Sequence, residues 1–283
     1  MAETWTLLRL LRWTTDYFGE KGIDNPRLDA ELVLAHVLKL DRVGLYLNFE
    51  RPLNADELDA IRPLVKRRGQ REPLQYLTGQ TEFWSLPFEV TPAVLIPRGD
   101  TEILVEEALN HADAANGSLL DVGTGSGAIA ISLATELADW QVTALDISSD
   151  ALEVAARNAE KNGVARQMQF LQADLAELPQ QQYDLIVSNP PYIARDEWDE
   201  LMPEVRCFEP QQALLAAGNG LDCYRKLAAQ ARSRLQPGGW LLVEIGFRQA
   251  ENVSQLFRDA GLQDVFVRDD YAGQPRVVGG CNK

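Results

Sequence analysis

The sequence predicts an α/β protein: a helical bundle, a short β-hairpin, and then a doubly wound sheet with helices between its strands. Three observations carry that expectation. Apolar side chains recur at helical spacing through residues 1–77, short extended pieces split by turn formers occupy residues 78–97, and apolar strand runs alternate with helical patterns through residues 98–283. A chain of 283 residues suits about two domains at roughly 150 residues each.

In the bundle, Leu7, Leu8, Leu10 and Leu11 share a helical repeat with Trp13, Tyr17 and Phe18. Asn25-Pro26 has the form of an N-cap followed by a first-turn proline, whose missing N–H would have no helical partner anyway. It opens a helix carrying Leu28, Leu32, Leu34, Ala35 and Leu38. Asn54 with Glu57 reads as a capping box for a helix through Leu58, Ile61 and Val65, confined or kinked by Pro63. Nothing here has a catalytic pattern, so the bundle serves either docking of a protein substrate or packing. Glu82-Phe83-Trp84, Pro87-Phe88-Glu89-Val90 and Val94-Leu95-Ile96-Pro97 are the extended pieces of the linker, and Asp100-Thr101-Glu102 starts the next helix.

Ser118-Leu119-Leu120-Asp121-Val122 reads as the first sheet strand and feeds Gly123-Thr124-Gly125-Ser126-Gly127, then a helix. The glycines permit a tight turn and a close backbone approach, and the free N–H groups of the helix start suit a carboxylate or phosphate. By itself this loop indicates a nucleoside-bearing cofactor. Asp121, just before the glycines, favours one with a positively charged amino-acid end, as in S-adenosylmethionine. A second strand, Val142-Thr143-Ala144-Leu145, ends in Asp146, placed to accept from ribose hydroxyls; a third, around residues 168–171, leads to Asp174, placed to accept from an adenine amino group. Aspartate is also common as an N-cap or turn residue. Three acids ending three successive strands favour the cofactor.

Tyr183-Asp184-Leu185-Ile186-Val187-Ser188 is a short apolar run of buried parallel-strand character, followed by Asn189-Pro190-Pro191-Tyr192. Ligands of open α/β sheets bind at such carboxyl ends. The two prolines fix φ, remove two N–H donors and push Asn189 toward an extended conformation, leaving a stiff turn rich in acceptors. Asn189 Oδ1 and the Pro190 carbonyl suit the two N–H donors of a planar –NH2 group, with Tyr192 covering its face. Taken alone, the tripeptide is an ordinary strand-ending turn; the upstream glycine loop makes it a substrate clamp.

Composition narrows the classes. With 46% apolar and 24% charged residues the chain is an ordinary globular protein, and no apolar run reaches the roughly 18 residues of a membrane span. The amino terminus lacks a signal-peptide pattern, so a cytoplasmic location is expected. Cys207, Cys223 and Cys281 are isolated, indicating neither a disulfide framework nor a zinc site, and no metal is expected. His36 and His111 lie in apolar helical patterns and read as packed or surface side chains. The net charge, 27 − 42 = −15, opposes a phosphate backbone and excludes direct nucleic-acid binding as the main reading. Arg62, Lys66, Arg67, Arg68 and Arg71 form a local basic run, read as a solvated helix face.

Residues 193–221 read as an irregular, partly acidic insertion, either a cover for the site or a connection. A helix over residues 224–235, a turn at Pro237-Gly238-Gly239, a strand over 240–245, a helix over 247–260 and an antiparallel pair, Val265-Phe266-Val267 with Arg276-Val277-Val278, complete the pattern.

With the glycine loop and Asn189-Pro190-Pro191-Tyr192 in hand, the chain resembles the HemK/PrmC family of glutamine N5-methyltransferases over nearly its whole length. Val94-Leu95-Ile96-Pro97-Arg98, Asp100-Thr101-Glu102, Pro203-Glu204-Val205-Arg206, Phe208-Glu209-Pro210 and Gly220-Leu221-Asp222 carry the likeness further. The resemblance implies a Rossmann-like, seven-stranded S-adenosylmethionine-dependent domain behind a docking bundle for class-1 peptide chain release factors. The implied substrate is the glutamine of the release factors' Gly-Gly-Gln loop, and the implied co-product is S-adenosylhomocysteine. It maps cofactor contacts onto Gly123, Thr124, Gly125, Ser126, Gly127, Asp146 and Leu175, and the substrate clamp onto Asn189, Pro190, Pro191 and Tyr192. Two departures stand out: Gly99 where the family has proline, and Leu175 where it is often aromatic. A ribosomal-protein glutamine or a nucleic-acid base is the alternative acceptor. Oligomeric state is left open, with a monomer as the expectation.

Overall fold

The computed structural model describes residues 5–283, which form two compact units: residues 5–79 with Met202–Phe208, and Gln80–Leu201 with Glu209–Lys283. In the first unit, helices Leu7–Glu20, Pro26–Leu38 and Ala55–Gly69 enclose Leu7, Leu11, Phe18, Leu34 and Ile61, all essentially buried. Asn54 closes the capping box foreseen for the last of these: its side chain accepts from Glu57 N at 2.9 Å and Glu57 returns the bond to Asn54 N at 3.0 Å. Asn25 differs. Its side chain makes no capping bond, and the helix starts on the preset φ of Pro26 instead.

The basic run is not a uniformly solvated face. Arg68 is buried and pairs with Asp29 at 2.7 Å and Glu204 at 3.2 Å, while Arg71 reaches the other Glu204 oxygen at 2.7 Å. Periodicity cannot foresee this, because the carboxylates come from positions 39 and more than 130 residues away.

In the second unit, β1 (Gln80–Phe83) and β2 (Leu86–Glu89) form the hairpin. Trp84 and Ser85 turn it with φ of 52° and 57°, the left-handed pair that matches strand twist. The strain is offset locally: Trp84 N donates to Glu102 and its indole N–H to Glu136. Val94-Leu95-Ile96-Pro97 form no strand, since no neighbouring strand offers a ladder; the Ile96 amide donates to the Glu209 carboxylate at 3.2 Å instead.

Among the described residues one sheet has seven strands: β3 (Ser118–Val122), β4 (Gln141–Asp146), β5 (Met168–Gln172), β6 (Tyr183–Ser188), β7 (Leu235–Glu244), β8 (Gln263–Asp269) and β9 (Pro275–Cys281). Their order is β5-β4-β3-β6-β7-β9-β8; β9 runs antiparallel to both neighbours, and the other pairs are parallel. Strand alternation sorts the core. Leu119, Leu185, Val187 and Leu242 face helices Glu102–Asn110 and Ala128–Glu136, whereas Leu120, Val122, Ile186 and Val243 face Asp222–Arg234 and Ala250–Asp259. Each such side chain contributes about 1.5–3 kcal/mol by leaving water.

Pro237-Gly238-Gly239 lies inside β7 as a bulge rather than before it as a turn. Pairing jumps from Tyr183↔Leu235 to Leu185↔Trp240, and the freed backbone groups bond to Asn282. His111 is packed, stacking on Phe266 at 5.3 Å and against Trp240 at 4.1 Å.

Candidate active site

The chain leaves β3 toward β4 and β5 on one side and returns to β6 on the other, so β3 and β6 flank the switch point at which ligands of open sheets bind. Val122 pairs with Ser188, the last residues of these strands. The residues that follow are Gly123 and Asn189. The glycine loop and the proline turn therefore start side by side, though 66 residues apart in sequence.

Gly123, Gly125 and Gly127 all have left-handed φ, at 76°, 55° and 82°. A Cβ on Gly123 or Gly125 would meet open space, whereas one on Gly127 would lie 2.7 Å from Ile131. The first two therefore border room for a ligand and the third is required by helix packing. Thr124 and Ser126 are buried within the loop. Thr124 donates to Asp121 Oδ2 at 2.7 Å, and the Ser126 carbonyl accepts from Asn158 Nδ2 at 2.9 Å.

Asp121 is fully buried. Burial lifts its carboxyl to about 7, helped by the nearby Asp146 charge and opposed by the Thr124 hydroxyl and the Ala130 N–H. Its Oδ1 makes no hydrogen bond of sound geometry. A cationic group near the loop would relieve this buried acid. Asp146, at the end of β4, accepts from Gly125 N and Ser148 N, both at 2.9 Å, and each oxygen keeps a lone pair for a hydroxyl. Asp174 is exposed and accepts from Ala176 N; Leu175 packs against the second sheet face, with its carbonyl held by Gln230. The open glycine backbone, the acid at the β4 terminus and the buried carboxyl of Asp121 together fit a nucleoside carrying a cationic amino-acid end.

The clamp is braced from three directions. Asn189 Nδ2 donates to Thr101 Oγ1 at 3.2 Å, turning Oδ1 the other way, and among the described residues no hydrogen bond engages Oδ1 or the Pro190 carbonyl. The Tyr192 hydroxyl donates to Glu244 Oε1 at 3.4 Å, and burial beside that carboxylate pushes its pKa well above the usual tyrosine value. The Tyr192 carbonyl accepts from Gln249 Nε2 at 3.0 Å. Pro190 is buried, and Pro191 and Tyr192 are half-buried. Ile193 continues into pairing with Leu215, tying the clamp to the insertion. The site thus presents two free acceptors beside an open glycine loop.

A release factor glutamine methyltransferase from Geobacter sulfurreducens is 50% identical over 278 residues, covering 98% of this chain and 97% of that relative. This chain belongs to the release factor glutamine methyltransferase family. Its relative from Vibrio cholerae is 42% identical, with 98% of this chain and 97% of that protein covered. Family models for the PrmC N-terminal domain and the methyltransferase small domain match residues 9–79 and 99–218. Among solved structures, the hMettl16 catalytic domain (TM-score 0.57, 16% identity, 71% of this chain and 77% of that one) and a Pyrococcus furiosus methyltransferase (0.52, 19%, 70% and 89%) share the fold.

In this family member the residues missed by sequence reasoning are those that brace the motifs. Glu244 ends β7 as a buried acid, a signal present in the apolar run Leu241-Leu242-Val243 but not taken up. Thr101 was read only as part of Asp100-Thr101-Glu102, without its bond to Asn189, and Gln249 carries no local signature. Asn158, fully buried in the helix Ser149–Lys161, exchanges bonds with Glu89 N and O and holds Ser126 O, fastening the hairpin to the glycine loop. No group of acids, histidines and cysteines suited to a metal occurs among the described residues, nor any helix long and apolar enough to cross a membrane.

Proposed function

We propose that the protein methylates the side-chain amide nitrogen (N5) of the glutamine in the Gly-Gly-Gln loop of class-1 peptide chain release factors. The observation that carries this reading is the pair of free acceptors, Asn189 Oδ1 and Pro190 O, just past the end of the strand next to the one that leads into the glycine loop. S-adenosylmethionine supplies a methyl on a cationic sulfur, a good leaving group. In this reading Gly123, Gly125, Asp146, Asp174 and Leu175 border its nucleoside, with the Asp121 charge near its amino-acid end. Thr124, Ser126 and Gly127 shape the loop, and residues 1–77 dock the release factor.

An amide nitrogen is a weak nucleophile because its lone pair is delocalised into the carbonyl. Asn189 and Pro190 bind both N–H bonds in one plane, and Tyr192 covers one face, leaving the lone-pair direction toward the methyl. Positioning of this kind lowers a barrier by up to about 7–11 kcal/mol, against about 1 kcal/mol net for one hydrogen bond. The nitrogen gains a carbon bond as the carbon–sulfur bond breaks. Its surplus proton is then strongly acidic and leaves without a dedicated base.

The test is methyl transfer from labelled S-adenosylmethionine to purified release factor, to a release factor lacking the target glutamine, to ribosomal proteins and to nucleic acid. Label in the intact release factor alone is expected. Label in nucleic acid or ribosomal protein, with none in release factor, overturns the proposal. A cytoplasmic location belongs to the same reading.

A further inference from the structure

The insertion that follows the clamp is closed at its base by one side chain. It runs from Tyr192 to Gly220, and the Gln249 amide binds both ends: Nε2 donates to the Tyr192 carbonyl at 3.0 Å and to the Gly220 carbonyl at 3.4 Å. Gln249 Oε1 accepts from Gly246 N at 3.0 Å. It also lies 3.2 Å from the Tyr224 hydroxyl, whose single hydrogen it shares with the Glu244 carbonyl at 3.0 Å. Every donor and acceptor position of the amide is thereby met. Just inside this base, Ile193 N donates to Leu214 O and Ala216 N to Ile193 O, both at 3.0 Å. Two glycines make the room: a Cβ on Gly220 would lie 2.6 Å from Gln249 Nε2, and one on Gly246 3.1 Å from Gln249 Oε1.

We infer that Gln249 is a positioning residue for methyl transfer: by joining the two ends of the insertion it fixes the Tyr192 backbone, and with it the ring that covers the carboxamide. The orientation of its amide is forced. The Gly246 N–H only donates and the Tyr192 and Gly220 carbonyls only accept, so a flipped amide would set donor against donor and acceptor against acceptors. The Tyr192 hydroxyl has its own partner in Glu244, which holds the tip of the ring but not the backbone that carries it. Replacing the NH2 of Gln249 by an oxygen keeps the shape and leaves two carbonyls facing a third acceptor, so the ends of the insertion are driven apart. Gln249 touches no substrate in this scheme and acts only through Tyr192.

This rests on the proposed clamp, and the test separates the two. Gln249→Glu removes both donors while keeping the acceptor for Gly246 N. It should fold, because the bonds that start the helix Ala250–Asp259, Gln249 N to Gly246 O at 2.8 Å and Val253 N to Gln249 O at 2.9 Å, are backbone bonds. It is compared with wild type and Tyr224→Phe for methyl transfer to release factor, S-adenosylmethionine affinity and amide deuterium exchange. Gln249→Glu is expected to lower kcat about 10- to 100-fold with S-adenosylmethionine affinity unchanged. Exchange at the Ile193 and Ala216 amides is expected to quicken while Leu185–Ser188 of β6 stays slow. Tyr224→Phe should keep kcat close to wild type, since Gly246 N still orients the amide. Wild-type kcat in Gln249→Glu overturns the inference. So does an equal loss in Tyr224→Phe, because the tyrosine hydroxyl rather than the two donors then matters, or unchanged exchange at Ile193 and Ala216, because the base then stays closed. If the wild type methylates no release factor, the proposed function fails, and exchange at Ile193 and Ala216 in Gln249→Glu still decides whether Gln249 closes the insertion. Should Gln249→Glu fail to fold, Gln249→Met, which removes the same donors without adding a charge, is read in the same way.

Discussion

The Ser188 hydroxyl donates to the Val122 carbonyl at 2.6 Å, a buried bond across the switch point that ties the strand ending at the glycine loop to the strand ending at the clamp. Two loops that must hold reacting groups within a fraction of an ångström thus hang from one rigid pair of strands. Four predictions follow from how those loops are braced.

Asn189→Ala removes the one clamp acceptor that is a side chain. Turnover on release factor is expected to fall by about 10²–10³, the roughly 2.7–4 kcal/mol of a lost preorganised partner, with little change in S-adenosylmethionine affinity by calorimetry. Equal losses in affinity and turnover contradict the assignment.

Asp121 sits near 7 because burial disfavours its charge. A cationic ligand nearby favours the charged form, so binding of S-adenosylmethionine is expected to release a proton, and its affinity to decline as pH drops below about 7. Asp121→Asn should bind more weakly and with a flat pH profile. Affinity constant from pH 6 to 8 in the wild type argues that no cationic end lies near this acid.

Glu244 is raised from 4.5 to about 7, again chiefly by burial. The folded state then holds its proton more tightly than the unfolded chain. This contribution is fully present below pH 4.5 and is lost as pH rises through 7. Glu244→Gln escapes the loss and is expected to gain up to about 3 kcal/mol of stability at pH 8, with no gain below pH 4.5, in denaturant titrations.

Gly220 has φ of 78°, and a Cβ there would lie 2.3 Å from the Tyr192 carbonyl oxygen. Gly220→Ala is expected to cost about 1–3 kcal/mol and to displace the clamp, lowering kcat far more than it weakens S-adenosylmethionine binding. Unchanged kcat shows that the clamp does not depend on this packing.

Legibility in the sequence followed the range of the interactions. Strands β3, β4, β6, β8 and β9 were readable because apolar runs and their flanking turn formers are local patterns, as was the capping box at Asn54. Val94-Leu95-Ile96-Pro97 misled, because an extended, apolar tetrapeptide becomes a strand only when another strand lies beside it. The Pro237-Gly238-Gly239 bulge misled in the opposite sense: its freed backbone groups are satisfied by Asn282, a partner about 45 residues on that no window contains.

Sequence by itself determined the covalent vocabulary of the site, with glycines that alone tolerate left-handed φ beside open space and prolines that strip donors from a turn. It also determined the alternation that makes the sheet doubly wound. Only the tertiary structure decided that Val122 and Ser188 are neighbours, that Asp121 is sealed from water, and that Asn189 rests on Thr101 while the Tyr192 hydroxyl faces Glu244. The physical reason is that backbone preference is written residue by residue, whereas a hydrogen-bond partner or a desolvated charge exists only once distant segments have been brought within a few ångströms.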